Sequence, residues 1–264
     1  MKKLFIVIIL SLTCFFNCRT KETHSNWKDN RILVDGDVSD WGNIPIILFE
    51  KSDIHMRIIN DSEYFYCTVG FRDQTLAQMF KINGITLWLD RKAKNKRDFG
   101  IIYRSDIPID DDMQRDKEFM GKIPPEQKAR LEKMQKDIPK GIFVIDKNGY
   151  VIPLSLAYGP ICALELKNGI YNMEFMIPLK ITKDNPYAIN TSMGEKMSLG
   201  IEMDIFSKKE REKLLGDMDR MGGPGGGGPG GGRGPGGGGR GDDFRKIPEK
   251  QELWIKIVLA SKTE

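Results

Sequence analysis

The chain has 264 residues and 40% hydrophobic content, enough for one sizeable core. Its 41 Lys+Arg against 37 Asp+Glu, a net charge of +4, lack the strongly basic face of a nucleic-acid binder, and 30% charge of mixed sign with 9% aromatics excludes wholesale disorder. Two histidines, His24 and His55, exclude a histidine-rich metal site, and four cysteines exclude a disulfide-dense scaffold.

Met1-Lys2-Lys3 is a short positive segment, and Leu4 to Phe16 then runs without a charge. That run fits the apolar stretch of a signal peptide and is too short to span a ~30 Å hydrocarbon core. It ends in Phe15-Phe16-Asn17-Cys18 followed by polar residues, which resembles a relaxed bacterial lipobox. Residues 1–17 are therefore expected to be cleaved and Cys18 to be acylated, giving an exported lipoprotein, most simply of the outer membrane. More than one acyl chain on that cysteine satisfies the requirement for stable attachment. The simpler alternative is an ordinary cleaved secretory signal. Outside the cell Cys67 and Cys162 meet an oxidising compartment, where they either pair or stay as buried free thiols.

Residues 18–30 read as a polar tether, and 31–262 as a single domain. Strand-like runs then follow one another: Ile32–Val34, Ile44–Phe49, Ile54–Ile59, Tyr64–Phe71, Gly84–Leu89 and Phe99–Tyr103. After them come Gly141–Ile145, Leu154–Leu166, Tyr171–Ile177, Met197–Ile205 and Glu252–Leu259. Several alternate at period 2, and Asn60-Asp61-Ser62, Lys147-Asn148-Gly149 and Lys167-Asn168-Gly169 supply turns. Many short strands with such punctuation predict a mainly β fold, an antiparallel sandwich of jelly-roll type. Two segments depart from the pattern. Residues 110–138 are charged and helical in period, and Ser207-Lys208-Lys209-Glu210 is a capping box that opens a helix to about Arg220. Residues 222–241 hold 15 Gly, 3 Pro and 2 Arg and no apolar side chain, so they are expected to be a disordered loop inside the domain. Closing a long loop costs free energy only logarithmically in its length, so a sheet tolerates it.

Asp35-Gly36-Asp37-Val38-Ser39-Asp40-Trp41 is the most specific segment. Asp35-Gly36 makes a tight turn, the aspartates accept backbone N–H bonds, and Trp41 buries a large ring to close the sandwich edge. Asp35, Asp37 and Asp40 are also closely spaced hard oxygen ligands, so calcium is a second reading, although the loop lacks the pattern of an EF-hand. No G-x-S-x-G elbow, H-E-x-x-H, P-loop or CxxC pair occurs, so no catalytic motif marks an enzyme.

The run Ile32–Trp41 resembles the opening of family-9-like carbohydrate-binding modules, which share a DOMON-like β-sandwich. Ile58–Val69, Gly84–Asp90 (GITLWLD), Tyr171–Leu179 (YNMEFMIPL) and Gly200-Ile201-Glu202 resemble further strands of that family in the same order. The resemblance implies non-catalytic binding of a glycan. Stacking on a pyranose needs flat rings, and polar side chains then fix the hydroxyls. In Ile85–Asp90 the alternation places Thr86 and Trp88 on the face opposite Ile85, Leu87 and Leu89, and Trp254 sits in a similar strand. Trp88, Trp254, Arg72 and Asp90 are the candidate ligand contacts. Three further readings stand behind this one. The sandwich can hold an envelope protein as an assembly lipoprotein, serve as an accessory domain of a glycoside hydrolase, or bind haem through His55 or Met56 as some DOMON-type sandwiches do.

Overall fold

The computed structural model describes residues 22–49, 52–106, 139–154, 159–183, 185–204 and 250–262. Two sheets face each other. One has seven strands: β1 (Glu22–His24), β13 (Gln251–Val258), β12 (Lys196–Met203), β6 (Ile85–Asp90), β7 (Phe99–Arg104), β8 (Gly141–Ile145) and β9 (Val151–Pro153), in that spatial order. The other follows β10 (Ile161–Lys167), β11 (Ile170–Pro178), β5 (Tyr64–Phe71), β4 (His55–Asn60) and β2 (Asn26–Trp27), and β3 (Ile47–Leu48) also pairs with β4. The fold is a β-sandwich. Period-2 alternation explains it directly, since successive side chains leave a strand on opposite faces. Leu87, Leu89, Leu199, Ile201, Ile255 and Ile257 of the first sheet meet Phe65, Val69, Met173, Phe175 and Ile177 of the second in one core.

Besides the helix between β5 and β6 and the expected strand Leu154–Leu166, which instead gives Val151–Pro153 and Ile161–Lys167, two features depart from the sequence expectation. The expected tether, 18–30, carries β1 and β2 in residues 22–27. Glu22-Thr23-His24 has no apolar alternation of its own, and its strand form comes from parallel pairing with Lys256, Ile257 and Val258 of β13. The sheets are therefore mixed, with parallel pairs at β1–β13 and β2–β4 and antiparallel pairs elsewhere. Ser25 carries the chain from one sheet to the other. Its hydroxyl donates to Asn60 Oδ1 and accepts from Ala260 N–H at 2.8 Å. The second departure is Ile32–Val34, which forms no strand. Ile32 packs instead with Trp41, Ile59, Tyr66 and Met176 in a small second core on the outer face of the six-stranded sheet. The segments 110–138, 207–220 and 222–241 lie outside the described residues.

The helix α1 (Gln74–Asn83) joins β5 to β6. Asp73 caps it by accepting from Leu76 N–H at 2.9 Å, and Gly84 ends it at φ +76°, a left-handed conformation that suits glycine. Leu76, Met79 and Phe80 fix it to the main core.

Cys67 and Cys162 are both free thiols. Each pairs with Phe175 in its own ladder, one from either side, so a whole strand separates them. Two strand spacings, about 9.6 Å, exceed the Cα separation a disulfide accepts. Burial pushes the Cys67 thiol far above its ordinary range and raises Cys162 as well. Neither is expected to react with a thiol-specific chromogen in the native protein, and both are expected to react after denaturation. A stoichiometric titration with and without denaturant checks this.

Candidate functional site

The outer face of the seven-stranded sheet carries one row of residues set by register. Trp254 lies opposite Gly200, Gly200 opposite Trp88, Trp88 opposite Gly100, and Gly100 opposite Ile145. The two glycines leave the space that the indoles occupy. A Cβ on Gly200 would come 2.9 Å from three carbons of the Trp254 ring, and one on Gly100 would come 2.7 Å from the Trp88 ring. Each indole therefore lies across a neighbouring strand instead of standing out from the sheet. Trp254 is half-buried, whereas Trp88 is buried at 9% exposure beneath the Arg97 guanidinium, 5.5 Å from its ring centroid. The arrangement is a platform on the sheet rather than two rings facing across a groove.

Four charged residues frame these rings. Glu202 and Glu252 are cross-strand partners, and two like charges in that position repel. Arg97 lies 2.8 Å from Glu202 and 2.9 Å from Glu252, and Lys250 lies 2.9 Å and 2.8 Å from the same two carboxylates. The Trp88 indole N–H donates to Glu202 at 2.8 Å, and the Trp254 indole N–H donates to Glu252 at 3.0 Å. The bond from Lys250 holds the Glu252 carboxyl below its usual value. Burial alone would pull the Lys250 ammonium down, but its bonds to Glu252 and Glu202 outweigh this and raise it. Both groups are therefore charged at neutral pH. The site offers a flat apolar ring bordered by carboxylate acceptors and cationic donors.

Of the sequence-predicted contacts, Trp88 and Trp254 come together in this row. Asp90 serves a different role. Its buried carboxylate accepts the N–H groups of Lys92, Lys94 and Lys96 at 2.9, 2.7 and 3.0 Å, which fixes the loop that delivers Arg97. Asp90→Ala is expected to destabilise the domain by about 1–2 kcal/mol, because three part-buried N–H groups of the loop lose the carboxylate that orders them. It is also expected to release Arg97 from Trp88, visible as a change in tryptophan emission. Arg72 follows β5 of the other sheet, where its N–H donates to Asp53 at 2.8 Å. It takes no part in the tryptophan row.

The aspartate turn is organised by a residue that sequence reasoning missed. Glu174, fully buried on β11, accepts the N–H groups of Asp35 at 3.1 Å and Gly36 at 2.7 Å and the indole N–H of Trp41. Asp35 accepts from Asp37 N–H at 2.9 Å, and Asp37 accepts from Ser39 N–H at 3.0 Å to cap a single 3₁₀ turn, Val38–Trp41. Asp37 also meets Lys167 Nζ at 3.0 Å, a bond that lowers its carboxyl. The Asp40 carbonyl accepts from Lys28 Nζ at 2.6 Å. Gly36 sits at φ +97° against β10, where a Cβ would fall 2.7 Å from Glu165 N. Asp35 and Asp37 are thus committed to turn bonds. Among the described residues no group of three or more His, Cys, Asp or Glu has the arrangement of a metal site. His55 and Met56 point to opposite faces of β4. Met56 is in the core, and the half-buried His55 ring lies over Gly70.

No protein-family model matches this sequence, and no curated protein matches it. Solved structures similar to the chain include two of a carbohydrate binding module family 9 from Caldicellulosiruptor kristjanssonii. One, in complex with glucose, is 13% identical, covering 72% of this chain and 81% of that chain at a TM-score of 0.35. The other, in complex with cellotriose, is 9% identical, covering 92% and 96% at a TM-score of 0.41. Both likenesses are distant, and the sandwich architecture stands on the strand pairing itself.

Proposed function

We propose that this chain is a non-catalytic glycan-binding lipoprotein of a bacterial envelope, anchored through Cys18, and that the saccharide lies on the Trp254 platform. The supporting observation is the indole of Trp254 lying flat over Gly200 beside Glu252, with Arg97 and Lys250 bonded to the same carboxylate. A pyranose presents an apolar C–H face and a rim of hydroxyls, and this surface supplies a partner for each. The polar frame is already satisfied internally, so hydroxyls enter by exchanging with existing bonds, which favours modest affinity and selective geometry.

The test is a calorimetric screen of mono- and oligosaccharides against the mature chain with Cys18→Ala, with and without calcium. Saturable binding to at least one saccharide is the expected result. Failure of every saccharide, together with capture of a single envelope protein, would replace this reading with the assembly lipoprotein. Metabolic incorporation of a labelled fatty acid that is abolished by Cys18→Ala tests the anchor.

A further inference from the structure

We propose that one lateral edge of the sandwich, formed by β1 and β3, rests on the lipid bilayer, with Ile46 and Leu48 contacting the acyl-chain boundary. This rests on acylation of Cys18 as put forward above.

Covalent reach comes first. Four peptide steps separate Cys18 from Glu22, so the two Cα atoms are at most about 14 Å apart. Glu22 is not free to drift from the body. It pairs with Lys256 of β13, and its carboxylate meets Lys196 Nζ at 2.9 Å. A lipid on Cys18 therefore holds the β1 edge close to the membrane surface.

The topology then decides what else lies on that edge. β1 borders the seven-stranded sheet, while β2 and β3 flank β4 at the border of the six-stranded sheet. Ser25 alone links β1 to β2, so both borders belong to the same side of the sandwich. Asn60 at the end of β4 accepts from Ala260 N–H just beyond β13 at 2.9 Å, so β4 and β13 finish at the same end. Counting back from that end, Glu22 lies two residues before the crossing at His24. On the other sheet, Leu48 opposite His55 lies four residues before Ile59, the partner of Asn26. With a rise of ~3.3 Å per residue and sheets ~10 Å apart, Leu48 and Glu22 lie on the same side of the body.

Chemistry agrees with this placement. Leu48, on the two-residue strand β3, is 70% exposed, and Ile46, just before that strand, is 50% exposed. Isolated apolar side chains are ordinary on a surface, but two at i and i+2 along one sheet edge beside the anchor have an available apolar partner. Two side chains cannot hold a protein on a membrane unaided. With the acyl chains supplying attachment, they select which edge faces down. The Trp254 strand is next to β1, so the proposed saccharide would be bound close to the headgroups.

The experiment uses the full acylated protein in phosphatidylethanolamine and phosphatidylglycerol vesicles, with or without brominated acyl chains. Leu48→Cys and Ile46→Cys carry a bimane label, and Tyr150→Cys is the control. Tyr150 is 69% exposed beside β9, at the opposite border of the seven-stranded sheet; Cys67 is buried, and the half-buried Cys162 is replaced by Ala in every labelled variant. Several-fold quenching by brominated lipid at positions 46 and 48, with none at 150, is expected. An acylated, vesicle-bound protein with no quenching at 46 and 48, or with equal quenching at 150, overturns the orientation and leaves the anchor intact. Shielding of position 48 in lipid-free detergent with doubled mass assigns the edge to a second copy and also overturns it. An N-terminal peptide whose mass shows no acyl group removes the anchor itself, and the orientation with it.

Discussion

Glu174→Ala is expected to cost the domain about 4 kcal/mol of stability, the largest single loss among the polar residues considered. The side chain is fully buried and accepts from two backbone N–H groups and one indole N–H, all from the Asp35–Trp41 turn. Each buried donor left without an acceptor costs about 1–3 kcal/mol, and the three are coupled, so the sum falls below strict additivity. For a domain of this size the shift is on the order of 8–16 °C in Tm. Trp41→Phe removes only one of the donors and is expected to cost about half as much. Thermal unfolding measures both, and a Glu174→Ala loss below about 1 kcal/mol would show that the turn holds without this carboxylate.

The same residue gives a pH dependence with a definite sign. Burial raises the Glu174 carboxyl above its ordinary value, against the lowering effect of the bonds from Trp41, Gly36 and Asp35. The folded chain therefore takes up this proton before the unfolded chain does. The resulting stability is fully present below the ordinary carboxylate value and is lost as pH rises through the raised one. Glu174→Gln removes that titration. Taken as native minus Glu174→Gln, the stability difference is expected to fall as pH climbs through this window, because only the native side chain loses its proton there. A difference that stays flat with pH would assign the titration elsewhere.

What the sequence reveals of this fold divides along local and non-local lines. The apolar run Tyr64–Phe71, with both faces partly apolar, matches β5 residue for residue, because a strand packed on both sides needs no partner to mark it. β1 and β2 have no such pattern, and only the pairing with β13 and β4 makes them strands. Asp73 and Gly84 do bracket α1 with a cap at each end, a signal that can be read from sequence, yet the flanking apolar runs mask the helix as a loop between strands. The outward direction of Trp88 follows from alternation in its own strand. That Gly100 and Gly200 stand beside the two indoles does not, since register joins strands far apart in the chain. Glu174 is an alternate polar position like many others until the fold brings the turn 138 residues away onto it.

Trp254→Ala and Gly200→Ala are expected to abolish measurable saccharide binding by different routes, and the pair separates platform from fold. Truncating Trp254 removes the stacking surface outright. An aromatic anchor of this kind contributes at least about 2 kcal/mol to binding, roughly a 30-fold loss of affinity. Its ring lies outside both hydrophobic cores, so the unfolding temperature is expected to move by only a few degrees. Gly200→Ala keeps every contact group but puts a methyl 2.9 Å from the indole carbons, within the range that forces one side to shift. The β12 backbone is paired on both sides, with β13 and with β6, so the indole yields first. The ring then leaves its position over the strand and its N–H leaves Glu252, which frees that carboxylate to bond only Arg97 and Lys250. A red-shifted emission spectrum with lost binding and a retained cooperative transition is the outcome this geometry requires. Full affinity in Gly200→Ala would mean that the saccharide does not use the ring where it lies.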